Sequence, residues 1–127
     1  MSVQAVAKGI RMSPRKVAVV ADLVRGRTVA DALTILEHTP RRSALPVRKV
    51  IESAKANADH NHGFKPDTMR ITSISVTPGP SIKRGRPAAR GRYLPYLKRS
   101  AHIHVVVDGD KREVKKPTKV ADKETKK

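Results

Sequence analysis

The stretch from Lys83 to Arg92, KRGRPAARGR, carries five cations in ten residues and no acid. It cannot enter a core, because each unpaired charge would be costly to take out of water. Gly85, Pro87 and Gly91 stand between the charges, so the backbone can turn sharply there but cannot run as a regular helix or a central strand. The flanking runs TMRITSISVT, Thr68 to Thr77, and AHIHVVV, Ala101 to Val107, are β-branched-rich and of strand length. Two strands joined by so long a basic excursion predict an extended hairpin over 78–100, with its tip far from the body. Arms of roughly nine residues at about 3.3 Å each would reach on the order of 30 Å. A positive finger of that length needs a polyanion around it, and nucleic acid is the polyanion that fits best.

The whole chain points the same way. Lys and Arg number 28 against 11 Asp and Glu, a formal net charge of +17 with pI ≈ 11.0, so a free globule would repel itself. No acid occurs from Thr68 to Val107, where eight Lys or Arg do. A merely soluble surface mixes both signs, so this one-sign stretch marks a binding face. Phe64, Tyr93 and Tyr96 are the chain's aromatic residues, too few to grip single strands by base stacking. Folded, helical nucleic acid held through its phosphates is the better match.

Cysteine is absent, which excludes disulfides, zinc ribbons and thiol catalysis and suits a reducing cytoplasm. No apolar run approaches the roughly 20 residues of a membrane span, and no signal-peptide core is seen, so a soluble, cytoplasmic protein without membrane contact is expected. The length of 127 residues suits one domain with a modest core, here 1–109, followed by a disordered basic tail, 110–127, in which no usable periodicity remains.

Val3, Ala5 and Ala7 alternate with other residues in a weak edge-strand pattern. Ser13-Pro14 reads as an N-cap with proline in the first turn, and Val17, Val20, Ala21 and Val24 give a helix over about 14–25. Thr28 and Asp31 resemble a capping box opening a second helix on Val29, Ala32, Leu33 and Leu36. Val47, Val50, Ile51, Ala54 and Ala58 form the stripe of a third, longer helix closed by Gly63. Pro46 requires that helix to begin near Leu45 or to bend. Met69 and Ile71 are out of phase with Ile74 and Val76, which predicts a bulge between the pairs. The fold class is α+β: helices on one face of a small antiparallel sheet, with a long protruding β-hairpin.

Four stretches occur in one order: SPRKVAVVADLVRG, IESAKANADHNHG, GPSIKRGRPAARGR and LKRSAHIHVVV. Together they resemble the bacterial large-subunit ribosomal protein twenty-two family, over about Arg11 to Val107. The resemblance implies three helices on a three-stranded antiparallel sheet and binding to large-subunit ribosomal RNA, with no cofactor and no homo-oligomer. Its other implied partners are neighbouring large-subunit proteins, and the nascent peptide and macrolides near the hairpin tip. By that resemblance the residues from about Ile82 to Tyr93 form the end that lines the nascent-peptide exit tunnel. Arg84, Arg86, Arg90, Gly91 and Arg92 are the tip residues, and Arg90 to Arg92 approach the lumen most closely. Gly85-Arg86 and Tyr93-Leu94-Pro95-Tyr96 differ from the best-known version of the family.

The expected RNA-binding residues are Arg11, Ser13, Arg15, Lys16, Arg25 and Arg27 around the first helix, with Lys83, Arg84, Arg86, Arg92, Lys98, Arg99 and His102 on and beside the hairpin. Arg15-Lys16 opens a helix with the wrong sign for its macrodipole, which suggests a phosphate partner. His60-x-His62 and His102-x-His104 lack the cysteines or converging carboxylates of a metal site. Asp22, Glu37, Glu52 and Asp59 read as ordinary ion-pair partners on helix faces. No nucleophile, base and orienting residue assemble, and no phosphate-binding glycine motif occurs, so no enzyme is expected. The alternative is an architectural DNA-binding protein that wraps a basic β-ribbon arm around a duplex and wedges Pro87 between base steps. It accounts less well for the valine- and alanine-rich helices.

Overall fold

Val3 and Ala5 are buried while Gln4 and Val6 face outward, and this alternation makes the N-terminal residues a strand, β1 (Ser2–Ile10). The computed structural model describes residues 2–112. Helix α1 (Pro14–Val24) buries Val17, Val20, Ala21 and Val24, the predicted face. Ser13 stands at its N-cap, but the hydroxyl makes no capping bond; the Ser13 carbonyl accepts the N–H groups of Lys16 and Val17. Helix α2 (Val29–His38) does use its cap, for the Thr28 hydroxyl accepts the Asp31 N–H at 3.2 Å.

Helix α3 (Ala44–His62) starts early enough that Pro46 falls in its first turn, where the missing N–H removes no helical bond. It ends on Gly63 at φ 62°, with the Gly63 N–H donating to Asp59 and the Phe64 N–H donating to Ala58. That pair of bonds closes the last turn and folds Phe64 back into the core.

Strands β2 (Arg70–Pro78) and β5 (Ala101–Asp108) complete a three-stranded antiparallel sheet in the order β1-β5-β2. Strand β5 is central, so Ala101, Ile103, Val105 and Val107 are fully buried under the helices, while His102, His104 and Val106 on the other face are half-buried. The register of β2 slips between Ile71 and Ser73, where the phase change in the sequence requires it. Ile51, Phe64 and Met69 are among the largest fully buried side chains, each contributing about 1.5–3 kcal/mol relative to exposure.

The outgoing and returning strands continue as β3 (Ile82–Pro87) and β4 (Tyr93–Lys98), a separate two-stranded ladder. Pairing stops at Pro78 opposite Ala101 and resumes at Ile82 opposite Lys98, so three residues, 79 to 81, face two, 99 and 100. Pro80 has no N–H to offer a ladder; instead the Gly79 N–H donates to the Ser100 carbonyl at 2.9 Å and the Ser100 hydroxyl donates to the Pro80 carbonyl at 2.6 Å. The paired arms are thus six residues each, on the order of 20 Å, shorter than the arms of roughly nine residues expected.

Residues 110 to 112, expected in the tail, are part of the body. Lys65 N–H donates to the Asp110 carbonyl, Arg112 N–H donates to the Gly63 carbonyl, and Arg112 pairs with Asp59 at 2.8 Å. The rest of the expected tail, 113–127, lies outside the described residues. Among those described, no helix is long and apolar enough to cross a membrane.

Candidate nucleic-acid interface

In an antiparallel ladder directly opposed residues share a face, so the register of β3 and β4 sorts the hairpin's side chains into two sets. Ile82, Arg84 and Arg86 lie opposite Lys98, Tyr96 and Leu94; Lys83, Gly85 and Pro87 lie opposite Leu97, Pro95 and Tyr93. One face therefore holds three cations and the other holds one. The Arg86 guanidinium stands 4.8 Å from the centre of the Tyr96 ring, which steadies the charged face. On the sparse face the ring of Tyr93 occupies the space where a side chain at Gly85 would stand.

The tip is a tight turn. Arg90 and Gly91 both have positive φ, 58° and 67°, which is the two-residue turn whose twist matches a hairpin. The Arg92 N–H donates to Ala89 and the Ala88 N–H donates to Arg92, so both flanking arginines are carried on a closed loop and are exposed. Of the predicted tip residues, Arg90, Gly91 and Arg92 are thus brought together at the far end of the hairpin and Arg86 stands near them, whereas Arg84, opposite Tyr96, lies midway along the ladder.

The body supplies a second cationic region. Arg11, Arg15 and Lys16 are exposed at the start of α1, which has no acid in its first turn, and none of the three pairs with an acid among the described residues. Arg25 and Arg27 differ. Arg25 pairs with Asp22 at 2.9 Å and donates to the Ile74 carbonyl, and the Arg27 side chain donates to the Leu23 carbonyl, so both are partly spent on the fold while still exposed. His102 is held too: its Nδ1 accepts the Gly9 N–H at 2.9 Å, which ties β1, where its register with β5 slips between Ala7 and Ile10, to the base of the hairpin. The acids behave as the sequence suggests. Glu37 and Glu52 flank Arg48, and the hydrogen bond to Glu52, followed by its charge, pushes that guanidinium up from its ordinary value.

Between the two regions lies a cleft of about 990 Å³ whose walls carry Arg11, Lys16, Arg41, Arg42, Lys98 and Arg99. Arg41 and Arg42, in the connection from α2 to α3, were not expected here. Two adjacent cations just before a helix with no acid in its first turn were the available signal, akin to Arg15-Lys16 within the first turn of α1. Among the described residues no cluster of three or more His, Asp or Glu is arranged to hold a metal ion.

The chain is similar to known proteins over most of its length. The family model described as "Ribosomal protein L22p/L17e" matches residues 5–108. The chain is 50% identical over 108 residues to a Herpetosiphon aurantiacus protein named "Large ribosomal subunit protein uL22", covering 85% of this chain and 96% of that one. Proteins of the same name from Clostridioides difficile and Desulforamulus reducens are 48% and 47% identical, over 84% and 89% of this chain and 96% and 99% of theirs.

Proposed function

Because the chain belongs to the ribosomal protein L22p/L17e family of structural, non-enzymatic constituents of the large ribosomal subunit, we propose that it binds large-subunit ribosomal RNA through phosphates, assists its assembly and lines the nascent-peptide exit tunnel with its hairpin tip. Its place is the large subunit in the cytoplasm. The observation that carries the RNA-binding reading is the acid-free hairpin with Arg84, Arg86 and Lys98 on one face, ending in the exposed Arg90 and Arg92. Three cations on a shared face suit a phosphate backbone along one side, and the compact Arg90-Gly91 turn suits a narrow passage. Family membership removes the ground for an architectural DNA-binding role.

The unit of binding is the domain expected over 1–109 together with residues 110 to 112, which bond to it, hairpin included, and the basic residues beyond add diffuse attraction to RNA. Its partners are large-subunit RNA, neighbouring large-subunit proteins, and the nascent peptide and macrolides near the tip. The tunnel role is tested in ribosomes lacking Ile82 to Arg84, or carrying Arg90→Glu. Removing three residues from β3 breaks its register with β4 and reverses the facing of every later residue in the arm unless the loop absorbs the slip. Macrolide inhibition and peptide-induced arrest should both weaken. Normal assembly with drug response and arrest unchanged would reduce the hairpin to an RNA brace.

A further inference from the structure

The cleft at the hairpin base has one wall on the helical body and the other on the hairpin. Arg11, Lys16, Arg41 and Arg42 stand on the body, whereas Lys98 and Arg99 stand on the returning arm; no lining residue is acidic. Ser13 and Ser43, the N-cap residues of α1 and α3, line the same cleft, so two helix N-termini open into it, each worth roughly half a positive charge. Six cationic side chains and two helix dipoles of one sign around about 990 Å³ make a field that an anion relieves. That volume is of small-ligand size, room for a strand of a few nucleotides and not for a duplex.

The cleft also spans the interrupted junction between Pro78 and Ile82, where the Gly79–Ser100 and Ser100–Pro80 bonds tie the arms to each other but not to the helical wall. Empty, the like-charged walls repel. We propose that a single strand of large-subunit ribosomal RNA runs through this cleft with neighbouring phosphates on both walls, and that this strand sets the angle of the hairpin against the body. Arg41 and Arg42 are then RNA-positioning residues. The inference rests on the RNA-binding reading and adds to it a site and a task.

The chain has no cysteine, so Ala30→Cys with Ala89→Cys, both exposed, can carry two spin labels, one on α2 and one at the tip. Their distance distribution is measured with and without protein-free large-subunit ribosomal RNA. In the parent, RNA should narrow the distribution. The doubly labelled Arg41→Gln/Arg42→Gln chain should bind roughly ten-fold or more weakly, with a salt slope lower by about two, and should keep a broad distribution even at saturating RNA. Lys16→Gln, on the same wall but another element, should act in the same direction. Parent affinity and a fully narrowed distribution in the double variant would overturn the proposal; weaker binding with a fully narrowed distribution would overturn the angle-setting half. If the parent itself fails to bind the RNA, the RNA-binding reading fails, and the inference with it.

Discussion

The phenol end of Tyr93 fills the volume that a side chain at Gly85 would need, although the two residues sit on different strands and are not directly opposed. The missing side chain on β3 is thus supplied diagonally from β4, within reach of an aromatic ring. On the other face of the same ladder Arg86 and Tyr96 touch in the same diagonal way, with the guanidinium 4.8 Å from the ring centre.

Gly85→Ala should therefore push the Tyr93 ring aside at a cost of no more than about 1 kcal/mol, because the far end of a flexible side chain is what moves. Proton NMR checks it: the Gly85 α-protons should be shifted by the ring in the parent and lose that shift in Tyr93→Leu. Gly85→Phe with Tyr93→Ala should pack as well as the parent. Identical α-proton shifts in the parent and Tyr93→Leu would show that the ring does not rest there.

Arg90 is a non-glycine residue in the left-handed region at φ 58°, a conformation costing roughly 1–2 kcal/mol for most side chains. Arg90→Asn should steady the turn, since asparagine before glycine is favoured in this turn type, and Arg90→Val should loosen it. Amide hydrogen exchange of Ala88 and Arg92, whose N–H groups close the tip, should slow in the first variant and quicken in the second.

A Cβ on Gly79 would meet the Ser100 Oγ at 2.5 Å and the His102 ring at 3.1 Å. Gly79→Ala is expected to destabilise the protein by about 1–3 kcal/mol through overpacking at the junction, measured by urea unfolding. Adding Ser100→Gly should recover part of the loss by removing the nearer obstacle.

With roughly six to ten phosphate contacts, affinity for isolated large-subunit RNA should fall about a thousandfold or more between roughly 50 and 200 mM salt, by analogy with duplex DNA. Filter binding across that range gives the slope directly. A flat response would contradict phosphate neutralisation as the main source of affinity.

The chain with Lys83 to Arg92 replaced by a short turn should still bind the RNA and enter large subunits, because Arg11, Arg15 and Lys16 remain exposed on the body. Assembly should slow but proceed, as followed by incorporation into subunits over time. Complete failure to enter subunits would make the hairpin the main anchor.

Local physics carried far along this chain. Helix faces are set by the spacing of Val17, Val20, Ala21 and Val24 or of Val47, Val50, Ile51 and Ala54, because a 3.6-residue period needs no knowledge of what lies opposite. The Thr28 cap, the Gly63 stop and the bulge between Ile71 and Ser73 were legible for the same reason: each is set by residues within a few positions of one another. So was the hairpin, since five cations without an acid between two strand-like runs have few other places to go.

The features that the sequence could not settle depend on partners distant along the chain. Ser13 and Thr28 look alike as caps, yet only the Thr28 hydroxyl is used as one. Arg25 reads as a free cation until β2 brings the Ile74 carbonyl to it, and residues 110 to 112 read as tail until Gly63, Lys65 and Asp59 supply their bonds. The extra residue at the junction, which interrupts the ladder and resets its pairing, arises from how two strands align and not from either strand alone. The cleft is the fullest case. Arg11 and Lys16, Arg41 and Arg42, Lys98 and Arg99 are three separate short runs in the chain, and charge by itself would hold them apart; burial of the apolar faces of α1, α3 and the sheet forces them around one volume.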